Sequence, residues 1–164
     1  MTHQLTEWNR VPVFGVPPAD GRRTIRPSAY AVIANQDDMV AVVKTPRGIF
    51  LPGGGIDRGE SVEAAIIREV REECGLVVTV GVWNTRAIEH LYSAEEETQF
   101  EKRSTFHVAM ICGAPVDPIE PDHELIWLPS AAALSALSPP SHSFAIAEWV
   151  RARATSVPGD RLDW

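Results

Sequence analysis

Blocks of apolar residues of strand length, separated by polar turns, run through most of the chain. Residues 29–35, AYAVIAN, make an apolar run that ends in the turn chemistry of Asn35, Asp37 and Asp38. Residues 39–45, MVAVVKT, make a second run of similar length. Two such runs around a short polar turn predict a β-hairpin. IFLP then leads into Gly53, Gly54 and Gly55. From residue 61 the period changes. Val62, Ile66, Ile67, Val70 and Cys74 recur every three or four positions, the apolar stripe of an amphipathic helix over 61–74. Residues 77–92 and 105–113 return to strand character, and the charged stretch 94–104 between them reads as a solvated loop or hairpin tip. LIWLP predicts a late strand, SAAALSAL a short helix, and residues 143–154 a terminal amphipathic helix. Residues 1–27, rich in proline, read as an N-terminal arm with one short strand at 11–16, leaving residues 28–164 as the domain. Short strands mixed with a few helices predict an α+β sandwich.

Composition narrows the picture. A chain of 164 residues suits one domain able to bury its own core. A net charge of −7 gives no general attraction for nucleic acid or anionic lipid, so neither a stable nucleic-acid complex nor a membrane partner is expected. An anionic substrate would need a local device to overcome the same repulsion, and a metal ion is one. No apolar run approaches the ~20 residues of a membrane-spanning helix. The start of the chain lacks a basic segment followed by an apolar block, so Cys74 and Cys112 read as reduced thiols of a cytoplasmic protein.

The helix carries an electrostatic puzzle. Ser61 is placed to cap its N-terminus and Gly75 to end it in the left-handed conformation. At 100° per residue, Glu69, Glu72 and Glu73 fall within an arc of about 100° beside the apolar stripe. Acids in the last turn oppose the helix dipole, at up to ~1 kcal/mol each. Arg68, one turn before Glu72, offsets part of this. Two readings follow: a solvated acidic face, or a compact carboxylate cluster for a hard divalent cation. The glycine-rich LPGGGIDRGE just before the helix favours the second, because consecutive glycines let backbone approach a ligand closely.

GGIDRGESVEAAIIREVREECGL resembles the signature of the Nudix hydrolases, with Gly54, Glu60, Arg68, Glu69, Val70, Glu72, Glu73, Gly75 and Leu76 at its fixed positions. The resemblance implies an α/β/α sandwich around a mixed sheet. It implies hydrolysis of a nucleoside diphosphate linked to another group, with Mg²⁺ or Mn²⁺ as cofactor and a small nucleotide derivative as substrate. Glu69, Glu72 and Glu73 become the expected metal ligands, joined by the backbone carbonyl of Gly53 or Gly54. Glu69 is also a candidate general base, a role that a loop residue can fill in this family. Arg68 is expected to orient the glutamates. Glu60 is expected to pair with Arg68 or hold a water, or simply to complement the helix dipole. Relatives often add a carboxylate from a late loop. Glu120 and Glu124 are candidates, with Glu124 preferred, as are Glu95, Glu96 and Glu97. Arg26 and Arg47 are candidates to grip phosphate. Phe50, like Trp8 and Phe14, is a candidate to stack on a base. Tyr92, sixteen residues after Leu76, resembles a mark of diadenosine polyphosphate hydrolases, although a half-buried strand tyrosine is the simpler reading. The histidines, His123 and His142 among them, show no metal spacing. Many relatives are dimers, so a homodimer stays open. The competing reading is a Nudix-like module that binds a nucleotide or protein without catalysis, which should lack signature glutamates. An isoprenoid diphosphate isomerase would call for a cysteine and histidines at the site, whereas Cys74 is expected to face the core.

Overall fold

The computed structural model describes residues 8–156. In chain order its elements are β1 (Val13–Phe14), β2 (Thr24–Ile33), β3 (Met39–Thr45), β4 (Gly48–Phe50), β5 (Gly53–Gly55), α1 (Val62–Cys74), β6 (Val78–Ser93), β7 (Thr98–Ile111), β8 (Glu124–Pro129), α2 (Ser130–Ala136) and α3 (Pro140–Thr155). The strands form two sheets: a five-stranded mixed sheet of order β1-β6-β7-β2-β5, and a three-stranded antiparallel sheet of order β4-β3-β8. The long β2 lies parallel to β7 over ten residue pairs, while β6 and β7 form an antiparallel hairpin.

The α+β sandwich expected from the sequence is present. One core layer lies between α1 and the sheets, where Ile66 and Val70 pack with Ala31, Ile33 and Val43. The second layer packs Tyr30, Val32, Val42 and Phe106 against α2 and α3 through Ala133, Ile146 and Trp149. Burying each large apolar side chain of this kind contributes about 1.5–3 kcal/mol.

One local expectation is corrected and a second is decided. The predicted hairpin of residues 29–35 and 39–45 survives only as its turn. Asn35 accepts from the amides of Asp37 and Met39 through Oδ1 at 3.0 Å, and a single bridge joins Ala34 to Val40. Beyond it β2 enters the large sheet and β3 the small one. Both runs are buried on both faces, from Ala29 to Ile33 and from Val40 to Val43. A continuously apolar strand needs a covering layer on each side, so the two part and lie in adjacent layers rather than pairing. Of the two readings of 94–104, a solvated loop or a hairpin tip, the second holds: it is the tip of the β6–β7 hairpin, with the turn confined to 94–97. Thr98 onward is strand, and Glu101 is buried there because Arg23 and Arg103 both donate to it. A paired charge can be buried where a lone one cannot. Strand β2 also starts at Thr24, upstream of the apolar run that revealed it.

Candidate active site

The ends of α1 are set by local chemistry. Ser61 Oγ accepts from the Ala64 amide at 3.1 Å, and Gly75 closes the helix at φ 65° with its amide on Arg71 O. The proline-rich loop after β7 then folds under the C-terminus. The amides of Ile119 and Glu120 donate to Glu72 O, and that of Val116 to Gly75 O. These bonds satisfy orphan carbonyls and offset the field that makes acids costly there.

Arg68 is the hub of the acidic face. Its Nε and Nη2 form a fork on Glu60, at 2.8 and 2.9 Å. Its Nη1 donates to Glu69 Oε1 at 2.7 Å and lies 3.5 Å from Glu72 Oε2, while Nη2 also reaches Gly55 O at 3.1 Å. The guanidinium, with the Asp57 amide, holds the Glu60 carboxyl down to about 2. Glu69 and Glu73 are different. Burial raises both, Arg68 partly restrains Glu69, and Glu73 is pushed up to about 8 with the Glu69 charge adding to burial. Glu73 Oε2 accepts from the Gly53 amide at 2.9 Å, and its Oε1 lies 3.4 Å from His123 Nε2. Strand β5 passes directly over these acids. A Cβ on Gly54 would lie 2.8 Å from Glu69 Cδ, so only glycine leaves that space open.

Among the described residues no three acidic, histidine or cysteine side chains are already gathered around a common point. Arg68 binds Glu69 Oε1, the Gly53 amide binds Glu73 Oε2, and His123 Nε2 lies beside Glu73 Oε1. The donor set nonetheless fits a hard cation. It offers partly buried carboxylate oxygens, with the Glu69 charge acting on Glu73, close under a glycine that keeps side-chain atoms away.

The other sequence candidates are spread more widely. Glu124 is exposed and lies 3.9 Å from Lys44, its cross-strand partner. Among the late-loop acids it is Glu120 whose charge acts on Glu73. Arg26 pairs with Glu96 at 3.2 Å and lies over the Phe100 ring, and Arg47 pairs with Glu95 at 3.6 Å. Phe50 is half-buried and edge-on to His142. Tyr92 is exposed opposite Gln99, seven residues along β6 from the Thr85 rung that leads to Tyr30. Cys74 is buried, its thiol pushed up to about 12 by burial. His123, passed over for want of metal spacing, is the histidine that meets the acids. Only the fold of the late loop brings it there, so spacing along the chain carries no trace of it.

Comparison with known proteins agrees with this geometry. The chain is 31% identical over 114 residues to an 8-oxo-(d)GTP phosphatase of Mycolicibacterium smegmatis, covering 68% of this chain and 34% of that protein. It is 38% identical over 53 residues to an ADP-ribose pyrophosphatase of Methanocaldococcus jannaschii, covering 29% of this chain and 31% of that protein. It thus spans about a third of the length of these curated relatives. The fold resembles that of a C. elegans Ap4A hydrolase in a binary complex, with a TM-score of 0.64 at 17% identity, covering 80% of this chain and 99% of that one. It also resembles a MutT protein of Methanosarcina mazei Go1, with a TM-score of 0.58 at 18% identity, covering 80% and 97%. The NUDIX domain model matches residues 24–152, the span from the first residue of β2 to the last turns of α3, and the chain belongs to the Nudix family.

Proposed function

We propose that this protein is a metal-dependent pyrophosphohydrolase that cleaves the diphosphate linkage of a nucleoside diphosphate derivative. The observation that carries the reading is the partly buried acidic cluster: Glu69 and Glu73, both raised by burial, lie beneath a glycine strand with no room for a side chain above Glu69. A purely solvated acidic face would leave these carboxylates in water with ordinary pKa values.

Glu69, Glu72 and Glu73, with the Gly54 carbonyl, would hold Mg²⁺ or Mn²⁺. Such an ion, when bound, neutralises the diphosphate and acidifies the attacking water. The chain supplies the rest. Arg68 fixes the Glu69 carboxylate through a charge-assisted bond, and Glu60 fixes Arg68 through two. Gly53 holds Glu73 through its amide. The loop under the helix brings Glu120 to the pocket, and Glu120 replaces Glu124 as the late-loop carboxylate in this reading. Water forms a bond to one phosphorus, its proton passes to a carboxylate for which Glu69 is the candidate, and the bridging oxygen leaves with the electron pair. Each side of the broken bridge keeps a terminal phosphate; where a diphosphate joins a nucleoside to another group, the products are a nucleoside monophosphate and the phosphomonoester of that group.

The test is a panel of nucleoside triphosphates, ADP-ribose and other nucleotide sugars, and dinucleoside polyphosphates, each assayed with Mg²⁺ and with Mn²⁺. We expect metal-dependent release of a nucleoside monophosphate from at least one. Glu69→Gln should lower that rate at least ~100-fold, the scale of a lost catalytic group, with the circular dichroism spectrum unchanged. Turnover of nothing on the panel would favour a binding module, and near-full activity of Glu69→Gln would remove Glu69 from the chemistry.

A further inference from the structure

We propose that the face of the large sheet around Lys102 is a second anion site, which binds a phosphate group carried by the substrate away from the diphosphate that is cut. The inference rests on the pyrophosphohydrolase reading and narrows its substrate class. Its centre is Lys102. Strand register places Lys102 between Arg26 on β2 and Glu89 on β6, so all three share one face of the large sheet. Lys102 is partly buried, and among the described residues it has neither a hydrogen-bond nor an ion-pair partner. Glu89, the acid opposite, is already engaged by the Ser141 amide at 3.1 Å at the start of α3. Burial first, and then the charges of Arg26 and Arg47, lower the pKa of Lys102, and the charges of Glu89 and Glu96 only partly offset them. A half-buried ammonium beside two guanidinium groups is an arrangement that gains most from an added anion.

Position separates this site from the acidic pocket. Arg26, Ser28 and Tyr30 alternate along one face of β2, and Tyr30 is the residue on which the charges of Glu73 and Glu69 act. Four residues of strand set the Arg26 rung about 13 Å from Tyr30. That distance is too long for the scissile diphosphate itself and leaves room for the nucleoside or other arm between. Phe100 supports Arg26 from below at 4.9 Å.

The protein's own acids stand in for the ligand. Glu96 pairs with Arg26 and Glu95 with Arg47, both from the turn between β6 and β7. Exposed ion pairs of this kind are weak and exchange readily. A phosphate dianion, which can accept from guanidinium and ammonium together, displaces them.

The experiment compares ADP-ribose with ADP-ribose 2′-phosphate, two substrates that differ by one phosphomonoester. The wild-type protein is expected to show a KM about tenfold lower for the phosphorylated substrate. Lys102→Met should abolish that preference through KM rather than kcat, and Lys102→Arg should keep it. Glu95→Gln/Glu96→Gln should widen it by freeing both arginines. Equal KM values in the wild type, or a preference that survives in Lys102→Met, overturns the site. If neither compound is hydrolysed, the wider panel decides the catalytic reading, and calorimetric titration with inorganic phosphate decides the anion site alone. Weaker phosphate binding by Lys102→Met upholds it; no binding by the wild type, or equal binding by the two, refutes it.

Discussion

A methyl group added at Gly54 would sit 2.8 Å from Glu69 Cδ and from Oε1, closer than real contacts allow. Gly54 does not have a positive φ, so alanine there meets no backbone strain. Gly54→Ala therefore tests space alone. Glu69 must swing away, and a misplacement of about 1 Å at a reacting group costs up to 10²-fold. We expect kcat/KM to fall about 10- to 100-fold while the melting temperature stays near the wild-type value. Gly75 behaves differently. It needs a positive φ, and a Cβ there would strike Val116 O at 2.0 Å. Gly75→Ala should unfold at visibly lower temperature, with a loss above about 1 kcal/mol, because backbone strain and a clash coincide. The pair separates two uses of glycine within one signature: room beside a carboxylate, and a helix stop against the late loop. An active Gly54→Ala, or a Gly75→Ala with an unchanged melt, contradicts that division.

The helix α1 was the most legible element, because its signals are local. Ser61 at the cap, a three-and-four apolar repeat and Gly75 at the end each act within one turn; the structure places both caps as read and packs Val62, Ile66, Val70 and Cys74 on the core, while Ile67, read into the same stripe, is exposed. Ser61→Ala should cost about 1 kcal/mol, which lowers Tm by about 2–4 °C in a chain of this size. The acids on the same helix add a pH dependence whose sign can be worked out. The folded pKa of Glu73, about 8, lies above its ordinary 4.5. The protonated form is thus favoured by the fold. Stability from this group is fully present below pH 4.5 and is lost as pH rises through 8. Glu69 acts in the same direction. In EDTA, the wild-type protein should lose Tm between pH 6.5 and 8, and Glu73→Gln should lose less. Adding Mg²⁺ or Mn²⁺ at pH 8 should recover Tm in the wild type, since a ligand that binds only the folded state stabilises it. A metal-free melt that is flat across this window would show that burial does not hold Glu73 as described.

At the scale of the whole molecule the sequence was less informative, and the reason is physical. Which sheet a strand joins is decided by partners dozens of residues away. Residues 29–35 and 39–45 carried the right strand pattern, but nothing within them says that β2 pairs with β7 and β3 with β8. The surroundings of Lys102, Glu120 and His123 were illegible for the same reason: strand pairing sets Lys102 between Arg26 and Glu89, and the late loop brings Glu120 and His123 to Glu73. His142 belongs to this class and allows a prediction that spans the fold. It is 3% exposed at the start of α3, and its Nδ1 accepts from the Leu51 amide at 3.0 Å, tying that helix to the connection between β4 and β5. Burial, with the nearby charge of Lys102, pulls its pKa down to about 3, so the ring is neutral and can accept. His142→Phe keeps a ring of similar volume and removes the acceptor, leaving a buried amide unpaired at a cost of about 1–3 kcal/mol. The pH dependence distinguishes this tie from simple packing. The folded pKa lies below the unfolded value of 6.5, so the contribution of His142 is present above pH 6.5 and is lost as pH falls toward 3. The gap in stability between wild type and His142→Phe, followed by urea denaturation, should therefore be widest near pH 7 and narrow steadily toward pH 4. A gap that stays constant over that range would mean that the ring acts through its shape alone, and that the amide of Leu51 has found another partner.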